Sequence, residues 1–302
     1  MDLIDNVIPL ARNLFWVSAP GKGKFPFCNS FLITGRDTVL IDAGINEKTI
    51  REIDRQRRID ALLITHSHPD HILNWHVLKD RRIIMPAETP DVITDLIQLG
   101  IRFTGSEENA YHWRKRVADE LGLQPMRLPD DRFKDGDMID TGGYRLQAIH
   151  APGHLDDHYC FLFEGAVLLT TDIDFSSFGP WYGNPESDIV QFKKSIEKVR
   201  SIPFHLACSS HKSPVQVKDA PQAFSDYLAG FDRHAKLIWD QCETPISLAE
   251  LIQVSPIYRN KMPNLTVQRI FEGAMMKKQL DLMVQEGQVE KNGETYRSLK
   301  ES

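Results

Sequence analysis

The sequence predicts a layered α/β fold, and three features support this prediction. Short β-prone runs, split by Gly and Pro, alternate with helical segments as far as residue 209. A motif rich in histidine directly follows one of the apolar runs, where functional loops are often found. From about residue 220 the chain changes to helices that end in a hairpin. Strands and helices in this order are typical of sheets covered by helices.

In the first half, apolar or β-branched runs predict strands at residues 14–17, 30–34, 38–41, 61–64 and 83–85. Between the first two lies a flexible loop, residues 20–24, with the sequence Pro-Gly-Lys-Gly-Lys. A charged helix is predicted at 47–58. Helical patterning then covers 88–122, with interruptions expected near Gly100 and Gly105.

In the second half, strands are predicted at residues 138–140, 144–150, 158–163, 166–170 and 205–209. Gly142-Gly143 and Glu164-Gly165 are predicted to be hairpin turns. A helix is predicted at 187–200, just before the last of these strands.

The C-terminal segment has a pattern of its own. Helices are predicted at 221–241 and 267–285, and Ser247 followed by Glu250 indicates a further helix start. Asn292-Gly293 predicts a two-residue hairpin turn. Helices followed by a terminal hairpin are typical of a winged-helix module.

Length and composition fit a large domain followed by a small one. The chain has 302 residues, of which 41% are apolar and 26% charged, as in globular proteins. We therefore predict a large α/β domain at residues 1–240 and a small helical, winged-helix-like domain at residues 241–302.

Charge and cysteine usage indicate the environment. The net charge of −6 disfavours a nucleic-acid partner. No apolar run approaches the ~20 residues of a membrane span, and residues 1–9 lack a secretory pattern. The four cysteines lie far apart without a CxxC pair, which suits reduced thiols. These observations predict a cytoplasmic protein without a membrane partner.

The strongest functional signal is the run Thr65-His66-Ser67-His68-Pro69-Asp70-His71. In an extended stretch, residues two apart point to the same side, so His66 and His68 can bind one ion together. Pro69 then turns the chain, and Asp70 and His71 can face a second point nearby. Imidazole and carboxylate together are ligands of zinc, iron or manganese.

Further ligands must come from elsewhere in the chain, and three candidates follow predicted strands. They are His154 after the strand that ends at residue 150, Asp172 after 166–170, and His211 after 205–209. Each of them alone fits a structural role equally well, but together with the motif they predict a metal site.

These motifs together resemble the metallo-β-lactamase superfamily, with its glyoxalase II-like and lactamase-like hydrolases, over residues 7–215. In chain order they are Leu40-Ile41-Asp42-Ala43-Gly44, the histidine motif at 65–71, Asp135-Gly136-Asp137, His150-Ala151-Pro152-Gly153-His154, Asp172 and His211. The resemblance implies a four-layer αββα sandwich and a catalytic domain with a dinuclear metal site.

The resemblance also implies a ligand set, in which three residues hold each ion and one bridges both. In that order they are His66, His68 and His154, then Asp70, His71 and His211, then Asp172. Two divalent ions are expected, with zinc favoured over iron or manganese. Asp42 is implied to support the site rather than to bind metal.

Two positions depart from the family pattern. Ile72-Leu73 stands where a small pair, commonly Gly-Gly, is frequent, and Ser210-His211-Lys212 replaces a Gly-His-Gly context. Neither change removes a ligand, and both are expected to reshape the surroundings of the site.

The leading functional prediction is a metal-dependent hydrolase of a small ester, thioester, lactone or lactam, in which a hydroxide shared by two ions attacks. Asp70 is the candidate catalytic residue that orients the nucleophile or accepts its proton. The alternatives are an endoribonuclease or phosphodiesterase, an iron-dependent oxidoreductase and a non-catalytic binding protein.

Two observations weigh on these alternatives. The tail at residues 244–302 has eight Lys and Arg against seven Asp and Glu, whereas a phosphate-tracking surface should be clearly basic. His68 occupies a position where the diiron flavoprotein type typically has Glu. A small-molecule substrate is therefore the expected partner, nucleic acid is disfavoured, and a homodimer is left open.

Several aromatic residues are candidates for the pocket wall, with simple packing as the alternative for each. They are Phe25, Phe27, Tyr111, Trp113, Phe178, Trp181 and Tyr182. For Asp157 and His158, which flank the site in sequence, a structural hydrogen bond and a catalytic role are equally compatible with the sequence. The tail contains no His and is expected to shape substrate access or dimer contacts without binding metal.

Overall fold

The computed structural model describes residues 6–299. Residues 1–5 and 300–302 lie outside the described part. The first range includes about half of residues 1–9, which lack a secretory pattern, and the second includes the charged tail residues Lys300 and Glu301. Within the described part, no helix is both long and apolar enough to cross a membrane.

Two mixed sheets form the centre of the fold. The first has its seven strands in sequential order, antiparallel from β1 to β4 and parallel from β4 to β7. Its strands are β1 Val7–Ala11, β2 Leu14–Val17, β3 Ser30–Thr34, β4 Thr38–Ile41, β5 Ala61–Leu63, β6 Arg82–Pro86 and β7 Asp131–Phe133.

The second sheet has six strands in the order β13-β12-β11-β10-β9-β8, and only β11 and β12 pair in parallel. Its strands are β8 Met138–Asp140, β9 Arg145–His150, β10 Tyr159–Phe163, β11 Val167–Thr171, β12 Leu206–Ser209 and β13 Val215–Gln216.

Helices cover the outer face of each sheet. Those on the first sheet are α1 Glu47–Gln56, α2 Pro69–Ile72, α3 Leu96–Thr104, α4 Glu107–Trp113 and α5 Asp119–Leu121, with a π-helical turn at Arg114–Ala118. Those on the second are α6 Ile189–Arg200 and α7 Ala220–Trp239, and α8 Leu248–Val254 and α9 Leu265–Gln285 follow in the C-terminal segment.

Three hydrophobic clusters hold the layers together. One fills the space between the sheets, where Phe31 of β3 and Phe161 of β10 are fully buried. The other two lie between each sheet and its helices. The predicted four-layer αββα sandwich is confirmed.

The structure corrects the interruption expected near Gly100. This residue lies inside α3, and a Cβ there would come within 2.9 Å of the Trp113 ring and 3.1 Å of the Ala110 Cβ. Glycine is therefore explained by the close approach of α4 rather than by a break. Gly105, with a positive φ of 81°, does end α3 as expected.

The C-terminal segment forms the expected capping box, in which Ser247 and Glu250 bond reciprocally. Its hairpin pairs β15 (Val289–Asn292) with β16 (Thr295–Ser298), and β14 (Ile246–Ser247) completes a three-stranded sheet. The loop residues are Gly293-Glu294, one position later than predicted, since Asn292 pairs with Thr295.

The tail packs on the second sheet's helical layer. Met275, Met276 and Leu280 of α9 belong to the same buried cluster as Phe192 of α6 and Phe231 of α7. The division at residues 240/241 stays a prediction, but the segments on its two sides share one hydrophobic cluster.

Candidate metal centre

The histidine motif leaves the end of β5 as an extended loop and then enters α2. Pro69 occupies the first turn of this helix, where its missing N–H costs no hydrogen bond. Strand ends of the second sheet deliver the other candidates to the same place, because Asp172 follows β11 and His211 follows β12. The structure brings all seven predicted ligands together, and their binding of metal stays a prediction.

The first group of ligand atoms comes from His66, His68, His154 and Asp172, all buried. The Nδ1 atom of His68 lies 3.1 Å from His66 Nε2 and 2.8 Å from His154 Nε2. The Asp172 Oδ2 atom lies 3.6 Å from His66 Nε2 and 3.2 Å from His154 Nε2. With metal–ligand bonds of about 2.0–2.1 Å, a tetrahedral site has edges of about 3.3–3.4 Å, so this group fits a zinc-sized ion.

The second group comes from Asp70, His71 and His211. The Nε2 atom of His211 lies 3.5 Å from Asp70 Oδ2 and 3.4 Å from Asp172 Oδ1, and His71 Nε2 lies 3.0 Å from the same Asp172 oxygen. The two carboxylate oxygens of Asp172 thus face different groups.

Two buried atoms that face each other, one in each group, lack a hydrogen-bond partner among the described residues. They are His71 Nε2 and Asp172 Oδ1, whose 3.0 Å separation does not have hydrogen-bond geometry. Buried polar atoms are nearly always satisfied in folded proteins. Two such atoms facing each other fit a bound cation, and imidazole with carboxylate is a donor set that matches a divalent transition metal.

Every candidate ligand histidine has an acceptor for its other ring nitrogen, which fixes the ring and would leave the remaining lone pair free to bind metal. The contacts are His66 Nδ1 with Thr65 Oγ1 at 3.1 Å, His68 Nε2 with Asn184 Oδ1 at 2.6 Å, His71 Nδ1 with Asp42 Oδ2 at 2.7 Å, His154 Nδ1 with the Trp181 carbonyl at 2.9 Å, and His211 Nδ1 with the Gly23 carbonyl at 2.5 Å. Asp42 lies beside the site, as the resemblance implied.

The electrostatics of the two groups differ. Burial holds the pKa of His66 and of His68 well below the ordinary value. These imidazoles are therefore neutral and can give a lone pair to a metal ion. Burial also acts to lower the pKa of His211, but Asp172 and Asp70 outweigh it and raise that pKa to about 9. Protons therefore compete with a metal ion more strongly at the second group than at the first.

A buried charge network supports the histidine loop from behind. The Arg102 guanidinium contacts Asp157 at 3.0 Å and Glu186 at 2.6 Å, and it donates to Ser67 Oγ. Burial acts to raise the pKa of Asp157, but Arg102 outweighs it and the pKa is lowered. Asp157 is therefore a structural partner here.

The other flanking residue, His158, is also engaged structurally. Its Nδ1 donates to the Ala151 carbonyl at 2.7 Å, and its Nε2 accepts from the Asp172 backbone N–H at 3.2 Å. Burial lowers the pKa of His158 to about 3, so the ring stays neutral. His158 positions the Asp172 backbone and does not line the cavity above the candidate ligands.

The candidate metal centre lies at the floor of a cavity of about 1040 Å³. Four of the aromatic residues predicted for the wall do line it, namely Phe25, Trp113, Phe178 and Trp181. Tyr182 is instead buried in the core, and Phe27 and Tyr111 do not line the cavity. Sequence reasoning missed the aromatic residues Trp16, Phe103, Tyr227, Tyr258 and Phe271.

The tail contributes directly to this cavity. Tyr258, Lys261, Met262 and Pro263 line it from the loop between α8 and α9. The Trp181 indole N–H donates to the Tyr258 hydroxyl at 2.6 Å, which joins the tail to the loop that follows β11. The tail thus lines the same cavity as the candidate ligands, which all come from residues 66–211, and its expected role in substrate access or dimer contacts stays a prediction.

Comparisons with known proteins agree with this geometry. A family model described as the metallo-beta-lactamase superfamily matches residues 23–211. A metallo-beta-lactamase family protein from Thermus thermophilus has a similar structure, with a TM-score of 0.74, 19% identity and coverage of 96% of this chain and 100% of that chain.

Two curated relatives carry descriptions of activity. A hydroxyacylglutathione hydrolase from Francisella tularensis is 28% identical over 146 residues, which is 48% of this chain and 46% of that protein. An atrochrysone carboxyl ACP thioesterase from Pseudocercospora fijiensis is 26% identical over 244 residues, which is 78% of this chain and 62% of that protein. The matches thus span about half to three fifths of these relatives.

Proposed function

The chain belongs to the metallo-beta-lactamase superfamily and is a hydrolase of that fold, and we propose that it cleaves small thioesters or esters with two divalent metal ions, zinc being the expected metal. One observation carries the proposal above the others. The two oxygens of Asp172 face two separate groups of donor atoms at the floor of an apolar cavity. The two relatives with described activities, a hydroxyacylglutathione hydrolase and an ACP thioesterase, support the choice of thioesters.

The protein's own residues hold and orient the reacting groups. His66, His68 and His154 would hold one ion, the other would be held by Asp70, His71 and His211, and Asp172 would contact both. When bound, such ions lower the pKa of water towards neutrality and polarise a carbonyl oxygen. Asp70 would orient the attacking water, and the aromatic walls exclude bulk water from the floor.

The overall reaction is the hydrolysis of the thioester bond. The carbon–sulfur bond of the thioester breaks, the hydroxyl group of water joins the acyl carbon, and the electron pair leaves with the sulfur. One proton of water ends on the sulfur, and the other passes to solvent when the new carboxylic acid ionises, so that a thiol and a carboxylate are released.

The test is to strip the full chain with a chelator, reload it with zinc and measure both metal content and turnover. We expect about two ions per chain, loss of thioester hydrolysis on stripping and recovery on reloading. Turnover of ester, lactone, lactam and RNA substrates by the same preparation shows which of the alternative substrate classes the protein also cleaves. A chain that binds no metal, or that hydrolyses thioesters equally well without it, would contradict the proposal.

A further inference from the structure

The mouth of the cavity is lined by four lysines, which we call the lysine collar: Lys22, Lys24, Lys212 and Lys261. All four are exposed, and among residues 6–299 none of their ammonium groups has an ion-pair or hydrogen-bond partner. Many other surface cations of the chain are paired with Asp or Glu, and the net charge is −6. The collar is therefore a local concentration of unneutralised positive charge.

The acidic side chains that line the same cavity belong to the candidate metal centre or lie next to it in sequence. They are Asp70 and Asp172, which belong to the candidate metal centre, and Asp174, which follows closely on Asp172. Bound metal would offset the charge of the first two. None of these three carboxylates forms an ion pair with a collar lysine among residues 6–299, so a substrate that enters the cavity meets unpaired positive charge.

Contacts to the metal centre hold one side of the collar in place. The Gly23 carbonyl, between Lys22 and Lys24, accepts the hydrogen bond from His211, and the Asn29 N–H donates to the Ser210 carbonyl at 2.7 Å. A Cβ on Gly23 would lie 2.8 Å from Asn29 Nδ2. Glycine is needed at this position, and the loop predicted to be flexible is anchored beside a candidate ligand.

A second buried network holds the tail side of the collar. The Glu272 carboxylate is fully buried and accepts from Ser255 Oγ at 2.6 Å, from the Ile257 N–H at 2.9 Å and from the Tyr258 N–H at 3.0 Å. These bonds shape the loop that presents Lys261. Both sides of the collar are thus built on ordered loops.

Between the collar and the floor the cavity is mostly apolar. Its walls include Phe103, Trp113, Val117, Trp181, Val267 and Phe271. Such walls favour an apolar, and particularly an aromatic, group close to the metal centre. The best match is a substrate with an apolar end at the floor and an anionic end at the mouth.

We propose that the substrate is a thioester whose acyl group is apolar and whose thiol carrier is phosphorylated, with the lysine collar binding the carrier's phosphate groups. This inference rests on the proposed thioester hydrolysis. Ammonium groups bind phosphate as point charges, and several of them together suit a phosphate group, which carries more negative charge than a single carboxylate. Phosphate at the mouth would orient the acyl group towards the metal centre.

The experiment compares thioesters of one aromatic acyl group on different thiols, using the zinc-loaded full chain. Pantetheine and 4′-phosphopantetheine differ by a single phosphate, coenzyme A carries further phosphates, and glutathione carries carboxylates. We expect kcat/KM to be roughly tenfold higher for the phosphorylated carriers, and the difference to shrink with salt. A further substrate, with the same acyl group attached to the 4′-phosphopantetheine of a carrier protein, tests whether the enzyme prefers a free or a protein-bound thiol carrier.

The collar is tested with the triple variant Lys22→Gln, Lys24→Gln and Lys261→Gln, and the matched control is Lys218→Gln, an exposed lysine that does not line the cavity. The triple variant should lose most of the preference for phosphorylated carriers, while the control should keep it. Calorimetric titration with coenzyme A itself gives a readout independent of turnover. Its Kd should weaken roughly tenfold in the triple variant.

The outcomes separate the two proposals. Equal hydrolysis of all carriers, with no effect of the triple variant, would overturn the lysine collar as a carrier site and leave thioester hydrolysis standing. Absence of hydrolysis of every thioester, together with cleavage of RNA that weakens in the triple variant, would overturn both in favour of a phosphodiesterase.

Discussion

The floor and the mouth of the cavity are built in opposite ways. The floor consists of seven buried or nearly buried ligand candidates, and each ligand histidine has a fixed partner for its second ring nitrogen. The mouth consists of exposed lysines without partners among the described residues, presented by loops from three distant parts of the chain. The floor is therefore suited to holding metal ions in a fixed geometry for one reaction, and the mouth is suited to selecting among substrates.

This contrast indicates where a substitution should change which property. A change at the floor should alter metal content and turnover together. A change at the mouth should alter KM while metal content stays the same. Substitutions at the floor, behind it and at the wall can test this separation, from the largest expected effect to the smallest.

Replacing Asp172 with Ala should remove the contact common to both ligand groups. We expect metal content to fall at both positions and kcat/KM to fall on the order of 10³-fold or more, since several kcal/mol of stabilisation are lost. His211→Ala should instead lower only the second ion's occupancy. Elemental analysis measures both, and Asp174→Ala is the control. Full metal content in Asp172→Ala would make Asp174 the candidate bridge.

Replacing Arg102 with Met should leave the Asp157 and Glu186 carboxylates without their cation behind the histidine loop. The expected loss is about 3–5 kcal/mol in the free energy of unfolding, as for a broken buried ion pair. Urea denaturation measures it. Arg36→Met is the control, because the Arg36–Asp140 pair is 73% and 69% exposed and should contribute little.

The same network sets a pH dependence. The pKa of Asp157 in the folded protein lies below its ordinary value. The stabilisation is therefore complete above the ordinary pKa of a carboxyl group and is lost as pH falls through the lowered one. Asp157→Asn should flatten the acid side of the stability profile; an unchanged profile would exclude this carboxylate as its source.

Replacing Asn184 with Ala removes the partner of His68 Nε2 and leaves the ligand set itself intact. We expect metal affinity to fall about 10–100-fold, as is typical when a ligand's hydrogen-bond partner is lost. Competition with a chelator measures this affinity. Asn109→Ala on helix α4 is the control, because Asn109 does not line the cavity. Unchanged affinity would show that the 2.6 Å contact does not orient His68.

Replacing Tyr258 with Phe removes the acceptor of the Trp181 indole N–H at the cavity wall. A single hydrogen bond is worth about 0.5–1.5 kcal/mol, so KM for a bulky acyl substrate should rise only a few-fold, with metal content unchanged. Steady-state kinetics and elemental analysis on the same preparation check both. A loss of metal in this variant would break the proposed separation of floor and mouth.

The same contrast explains what the sequence could predict. His66, His68, Asp70 and His71 lie within six positions and follow an apolar strand, so local spacing reveals them. Most strands likewise follow local β-propensity, but β1, β7, β13 and β14 were missed by sequence reasoning. His154, Asp172 and His211 were found at predicted strand ends, where layered α/β folds place functional side chains.

Other parts of the site depend on contacts between distant segments. Asn184 supports His68 from 116 positions away, and Gly23 supports His211 from 188 positions away. No local pattern indicates either pairing, and the same holds for Arg102 and the lysine collar. Gly100 shows the reverse case, since a local rule predicted a break where helix packing requires a small residue.

The place of the tail in the wall of the cavity has a consequence for biosynthesis. All seven ligand candidates leave the ribosome before Tyr258, Lys261 and Phe271, which follow much later in the chain. At roughly 5–20 residues per second, the nascent chain spends several seconds with its ligands present and one wall of the cavity missing. Metal can therefore be acquired through an open site before α9 closes that wall.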